Sequence, residues 1–224
     1  MKNNLGWSLF ALLLLLAACS GEKSNETKTE TVELKPYPNF QADSAFAFVK
    51  KQVDFGPRVP GTLGHAATKA WIQETLEEYG WSVQQQDFQA QTYDGLTWDL
   101  TNLIASFNPQ ARKRILLAAH WDTRRIADKD TVSTAKPIDG ANDGASGVAV
   151  LMEIARSISS QPLPAEVGID LIFFDGEDDG EPENAVTRDN SQIWWCHGSQ
   201  YWSKNKHLPN YSAYYGILVD LVGG

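Results

Sequence analysis

Four short stretches of this 224-residue chain carry imidazole or carboxylate groups beside apolar runs. His120-Trp121-Asp122 follows Ile115-Leu116-Leu117-Ala118-Ala119, Asp175-Gly176-Glu177-Asp178-Asp179 follows Leu171 to Phe174, and Asp220 follows Ile217 to Val219. Asn142-Asp143-Gly144 opens a stretch of helical periodicity between the first two. From Asp175 to Glu183 there are six carboxylates and no basic residue. Packed carboxylates repel one another unless a cation sits among them or some are protonated. Histidine and carboxylate donors without a spare thiolate suit zinc in a catalytic role. Calcium also takes oxygen-rich runs, but this one lacks the EF-hand spacing of alternate oxygen ligands, glycine and closing glutamate. The competing catalytic templates, GxSxG, the P-loop, GxGxxG and HExxH, are absent from the sequence.

Each stretch taken singly has a plainer reading. A lone histidine is ordinarily a satisfied core residue, and Asp143 serves equally as the N-cap of the helix behind it. An acidic run is ordinarily a solvated loop. This one directly follows a buried apolar strand, which fixes at least its first residues in place. Convergence of all four stretches on one sheet edge is what favours a metal, because ligands of open α/β sheets bind beyond the carboxyl ends of the strands.

The elements that must bring them together are readable from periodicity. Ala42–Val53 reads as a helix, Gly56-Pro57-Arg58-Val59-Pro60-Gly61 as a rigid connector, and Gly64–Tyr79 as an amphipathic helix with Ile72, Leu76 and Tyr79 on one face. Trp81–Gln89, Thr101–Phe107, Arg114–Ala119 and Val167–Phe174 read as strands, and Tyr214–Val219 as a last buried one. Asp143–Ile158 reads as a helix with Val148, Leu151, Met152, Ala155 and Ile158 aligned. The alternation predicts an α/β fold, a three-layer α/β/α sandwich around a mixed, largely parallel sheet. No internal repeat is visible.

Composition agrees with one globular domain. Hydrophobic residues make up 42 % and aromatics 11 %, and 19 Lys and Arg against 28 Asp and Glu give a net charge of −9. That balance argues against nucleic acid, whose binders carry a basic face. Lys2 followed by the apolar stretch Trp7–Ala18 is too short to span a bilayer and reads as a signal peptide over residues 1–18. Leu16-Ala17-Ala18-Cys19 resembles a bacterial lipobox, so Cys19 is expected to carry lipid and to anchor the protein in the cell envelope, facing the periplasm. Residues 19–39 are mostly polar and serve as a tether. Cys196, the other cysteine, reads as a small buried hydrophobe beside Trp194 and Trp195.

Together, His120 to Asp122, Gly140 to Val148, Phe173 to Asp178, Gly198-Ser199 and Val219 to Gly223 resemble the zinc-dependent aminopeptidase-like (M28) family. Within it they look most like the glutaminyl-peptide cyclotransferases, or glutaminyl cyclases, of the animal type and their bacterial lipoprotein relatives. The similarity runs from near Phe40 to the last residue and includes Phe55 to Gly61. Asp122-Thr123-Arg124, Ala127-Asp128, Lys136-Pro137 and Trp195 to Trp202 are similar to the bacterial cyclases in particular.

The resemblance implies that Asp143 and Asp178 are zinc ligands, that Glu177 is the general acid/base, and that Asp220 organises the proton transfer. Asp178 stands where the animal enzymes have glutamate. The third ligand of the family, a histidine, is expected beyond residue 224, which makes this chain the N-terminal part of a longer protein. The implied activity is cyclisation of N-terminal glutamine in peptides or proteins, with one zinc. In the two-metal aminopeptidases of the family, His120 and Asp220 would instead hold a second zinc bridged by Asp143. An inactive binding lipoprotein on the same fold is the third alternative. Trp121, Trp194, Trp195 and Trp202 are candidates for an apolar pocket wall, though core packing is the commoner use of tryptophan.

Overall fold

The run Ile115–Ala119 is apolar on both faces, and such runs form strands covered from both sides. The computed structural model describes residues 38–161, 163–182 and 192–223. In it, α1 (Ala42–Asp54) and α2 (Leu63–Glu78) precede a hairpin of β1 (Ser82–Gln91) and β2 (Thr97–Phe107). Then come β3 (Lys113–His120), α3 (Ala145–Ser159), β4 (Val167–Phe174), α4 (His197–Lys204) and β5 (Tyr215–Leu218). Residues 38–224 form one compact unit. The signal peptide, Cys19, the tether up to residue 37 and Glu183 lie outside the described residues. Among the described residues, no helix is long and apolar enough to cross a membrane.

The sheet order is β1-β2-β4-β3-β5. β3 runs parallel to both β4 and β5, whereas β2 is antiparallel to β1 and β4. The sheet is therefore mixed, with its parallel part at the centre of the polar stretches. Side chains alternate between two cores, as the period of two demands. Leu103 and Ala105 of β2, Ala119 of β3, and Leu171 and Phe173 of β4 face Ile72 and Leu76 of α2 and Val148, Leu151, Met152 and Ala155 of α3. Their neighbours Ile104, Ala118, Ile172 and Phe174 meet Trp202 of α4 on the other face. Helices thus cover both faces, giving the three layers expected.

Three details differ from the sequence reading. Among the described residues β5 is exposed along its whole length rather than buried, with β3 as its partner strand. The third helix starts at Ala145, with Gly144 at φ 81° as its N-cap, so Asp143 lies just outside it and is not a capping residue. Helix α4 was not evident in the sequence: of its eight residues only Gly198 and Trp202 are buried.

Parallel pairing fixes where the strands end. His120 is opposite Phe174, and Ala118 is opposite Leu218. The residues following β3, β4 and β5 therefore emerge side by side. Gly147 completes the approach from α3: a Cβ there would lie 2.7 Å from the Val219 carbonyl oxygen. Only glycine lets the helix come close enough to place Asp143 near Asp220.

Candidate functional site

His120 is the hub of this edge. Its Nε2 lies 3.0 Å from Asp143 Oδ1 and 3.5 Å from Asp220 Oδ1. On the other side of the ring, Nδ1 is 3.6 Å from Asp122 Oδ1 and 3.9 Å from Glu177 Oε2. Neither ring nitrogen makes a properly aligned hydrogen bond, although the ring is buried. Burial alone would lower the imidazole, but Asp122, Asp143 and Glu177 push it up to about 11. One donor atom each from His120, Asp143 and Asp220 falls within 4.8 Å of the others, a spacing that fits a metal ion.

Asp122 is fully buried and ties two strand ends together. Its carboxylate accepts the backbone N–H groups of Glu177 and Asp178, both at 3.0 Å. The acidic loop after β4 is thus held by the residue two places after His120. Its first member, Asp175, is fixed from a different direction. Thr101 N–H and Gly176 N–H donate to its carboxylate at 2.7 and 2.9 Å, and His65 Nε2 stands 3.0 Å from both oxygens. His65 in turn stacks on Trp121, with ring centroids 4.2 Å apart. Sequence reasoning assigned no role to Asp122 and none to His65. The signal for Asp122 was its position in the first polar stretch; for His65, 110 residues from its partner, there was none.

Glu177 is about two-thirds buried, with Oε1 3.3 Å from Cys196 Sγ. Burial pushes its carboxyl above the ordinary glutamate range, partly opposed by His120. Asp178 is more strongly affected: burial and the Asp143 and Asp122 carboxylates raise it to about 8. Its Oδ2 accepts the Arg124 backbone N–H at 2.9 Å. Cys196 is half-buried at the start of α4 rather than a core residue, and burial with the Glu177 charge pushes its thiol up to about 12.

Asp143 and Asp178 share the wall of a cavity of about 750 Å³, with Arg124, Lys136, Asp139 and Trp195 among its other residues. The Arg124 guanidinium lies 4.7 Å from the centre of the Trp195 ring. Of the four tryptophans considered, Trp195 alone lines this cavity. Trp121 and Trp202 are core residues.

All four sequence-predicted site residues, Asp143, Glu177, Asp178 and Asp220, stand on this one edge. The grouped carboxylates and the unsatisfied, buried histidine nitrogens fit a divalent cation, and the nitrogen and oxygen donor set suits zinc.

A three-layer α/β/α sandwich with histidine and carboxylates at the carboxyl ends of central strands defines a protein with a zinc exopeptidase-like fold. Residues 102–224 match the model of peptidase family M28, and the chain belongs to that family. It is similar to a glutaminyl cyclase of Bacteroides thetaiotaomicron solved with N-acetylhistamine, at 48 % identity and a TM-score of 0.79, over 84 % of this chain and 64 % of that one. It is also similar to a Zn-dependent exopeptidase from Parabacteroides distasonis, at 46 % identity and a TM-score of 0.78, over 84 % of this chain and 63 % of that one. A glutaminyl-peptide cyclotransferase from Gloydius blomhoffii is 33 % identical over 132 residues, 54 % of this chain and 35 % of that protein. The chain thus spans somewhat under two thirds of the similar solved chains and about a third of this curated relative.

Proposed function

We propose that the protein takes part in zinc-dependent cyclisation of N-terminal glutamine in peptides to pyroglutamate, with release of ammonia. The observation that carries this reading is the loop bearing Glu177 and Asp178, held by the Asp122 carboxylate, with Asp178 on the wall of the same cavity as Asp143. The similarity to glutaminyl cyclases in both sequence and structure supports it.

In the reaction the α-amine attacks the side-chain amide carbon, a C–N bond forms, and the C–NH2 bond breaks. Because both groups belong to one residue, the protein's task is to hold a near-attack geometry and to handle the protons. Zinc bound by Asp143 and Asp178 would polarise the amide carbonyl as a Lewis acid. Glu177 takes a proton from the attacking amine at one carboxylate oxygen and returns it to the leaving nitrogen, which departs as ammonia. Its raised affinity for protons suits that double duty. Asp220 acts on Glu177 through His120, whose Nε2 faces Asp143 and Asp220 and whose Nδ1 faces Asp122 and Glu177. Trp195 offers the uncharged glutamine side chain an apolar wall.

A second reading, M28-type aminopeptidase action, is favoured by one observation: His120, Asp143 and Asp220 gather closely enough to hold a metal of their own. Incubating an N-terminal glutamine peptide with protein purified from its source cells separates the two. Loss of one ammonia mass, abolished by a chelator, with one zinc per chain, supports the cyclase. Loss of a whole residue with two zinc ions moves the protein to the aminopeptidases. An unchanged peptide leaves the inactive binding protein.

The proposal extends to location. Lipid on Cys19 would hold the domain at the cell envelope, where peptides in the periplasm reach it. A Cys19→Ser protein is expected in the soluble fraction, and unchanged membrane partitioning refutes the anchor.

A further inference from the structure

We infer that Arg58 is the positioning residue for Asp143, setting the shape of the loop that carries this ligand before any metal arrives. The inference rests on reading Asp143 as a zinc ligand. Arg58 sits in the connector between α1 and α2, and it is completely buried. Its Nε–H donates to the Trp121 carbonyl at 3.0 Å, Nη1 to the Asp139 carbonyl at 2.7 Å, and Nη2 to the carbonyls of Gly140 at 2.7 Å and Asp143 at 3.3 Å. Its backbone N–H donates to Thr123 Oγ1 at 2.8 Å, and the Thr123 N–H donates back to the Arg58 carbonyl at 3.2 Å.

Every acceptor in this set is a carbonyl or a hydroxyl. Among the described residues the positive charge is therefore buried without an ion pair, an arrangement that is costly unless the surroundings compensate it. Here the compensation comes from the negative field of Asp122, Asp143, Asp139 and Asp178, the largest opposition to its desolvation. The guanidinium bridges two segments that belong to the site. Trp121 and Thr123 continue the strand end that carries His120 and Asp122, and residues 139–143 deliver Asp143. The turn is built around it: Gly140 lies at φ 58°, and a Cβ there would stand 2.6 Å from Arg58 Nη2. A lysine supplies the charge but not a planar fork that reaches four carbonyls.

Zinc affinity, measured by competition with a chromophoric chelator, tests this alongside thermal unfolding of the metal-free protein. Arg58→Met and Arg58→Lys are expected to weaken zinc binding by about tenfold or more, the usual effect of losing a residue that orients a ligand. Arg114→Met is the control: it breaks a buried pair with Asp170 at the other end of β3, so it should lower Tm and leave zinc affinity at the parental value. If Arg58→Met does not fold, Arg58→Lys decides. Parental zinc affinity in Arg58→Lys overturns the inference, as does an equal loss of affinity in Arg114→Met. A parent that binds no zinc, or an Asp143→Ala protein that binds it fully, overturns instead the ligand reading beneath it.

Discussion

Cys196 holds its Sγ 3.3 Å from Glu177 Oε1 while its own backbone lies in the left-handed region at φ 60° and ψ 36°. Two backbone bonds reinforce the contact: Cys196 N–H donates to the Glu177 carbonyl at 3.0 Å, and His197 N–H to the Gly176 carbonyl at 2.9 Å. A non-glycine residue in that region carries strain of about 1 kcal/mol. As the N-cap of α4, Cys196 also makes no side-chain capping bond. Its side chain faces the Glu177 carboxylate instead.

Replacement of Cys196 by glycine should therefore separate stability from turnover. Relief of the strain offsets the added chain entropy, so Tm should stay at or slightly above the parental value. Loss of the S–H donor should lower kcat about threefold to tenfold with little change in KM. Cys196→Ser should restore most of the rate. Unchanged kcat in the glycine variant would show that the thiol does not orient Glu177.

Asp143 and Glu177 should fail in different ways. Asp143→Ala is expected to lose zinc, and its turnover with it. Glu177→Gln should retain zinc and lose turnover by a factor of at least about 100, the usual contribution of a positioned acid/base. Metal analysis of both purified variants checks this, and equal metal loss in the two would reject the assignment of roles.

Far from the site, Asp170 contributes to the response to acid. It is buried at the middle of β4 and receives Arg114 Nε at 2.9 Å, Tyr211 Oη at 2.8 Å and Ser106 Oγ at 2.6 Å. Burial would raise its carboxyl, but these donors together hold it below the ordinary aspartate range. Its stabilising contribution is therefore complete above the unfolded value near pH 4, about 3.9 for aspartate, and is lost as pH falls through the lower folded value. Asp170→Asn should cost about 3–5 kcal/mol at neutral pH, because Arg114 is left buried without its partner. The gap between parent and variant should narrow below about pH 4. Urea unfolding at several pH values measures it, and a constant gap would contradict the linkage.

Much of this arrangement is legible in the sequence for a definite reason. The C-terminal halves of the strands are apolar, so His120 at the end of β3, Asp175 directly after β4 and Asp220 shortly after β5 stand out as polar breaks. The parallel sheet then lines up those ends without further information. What stays hidden is of two kinds. Partnerships such as His65 with Asp175, or Arg58 with the 139–143 carbonyls, depend on close approach between distant segments and leave no spacing signal. Short elements such as the eight-residue α4, with only Gly198 and Trp202 buried, offer too few apolar positions to read. Tyr215 to Leu218 has core-like residue types, whereas among the described residues β5 stands exposed at the end of the sheet order.

The register that aligns His120 with Phe174 has a kinetic consequence. β1 and β2 meet through the tight turn Thr92–Leu96 and close early, at low entropic cost. The β3–β4 pairing and the crossing from Arg58 to Asp143 close loops of dozens of residues, and such closures come late and slowly. The ion-binding edge is thus among the last features of the chain to form. Recovery of zinc affinity after dilution from denaturant should trail recovery of the hairpin, making the metal a reporter of completed folding rather than a nucleus for it.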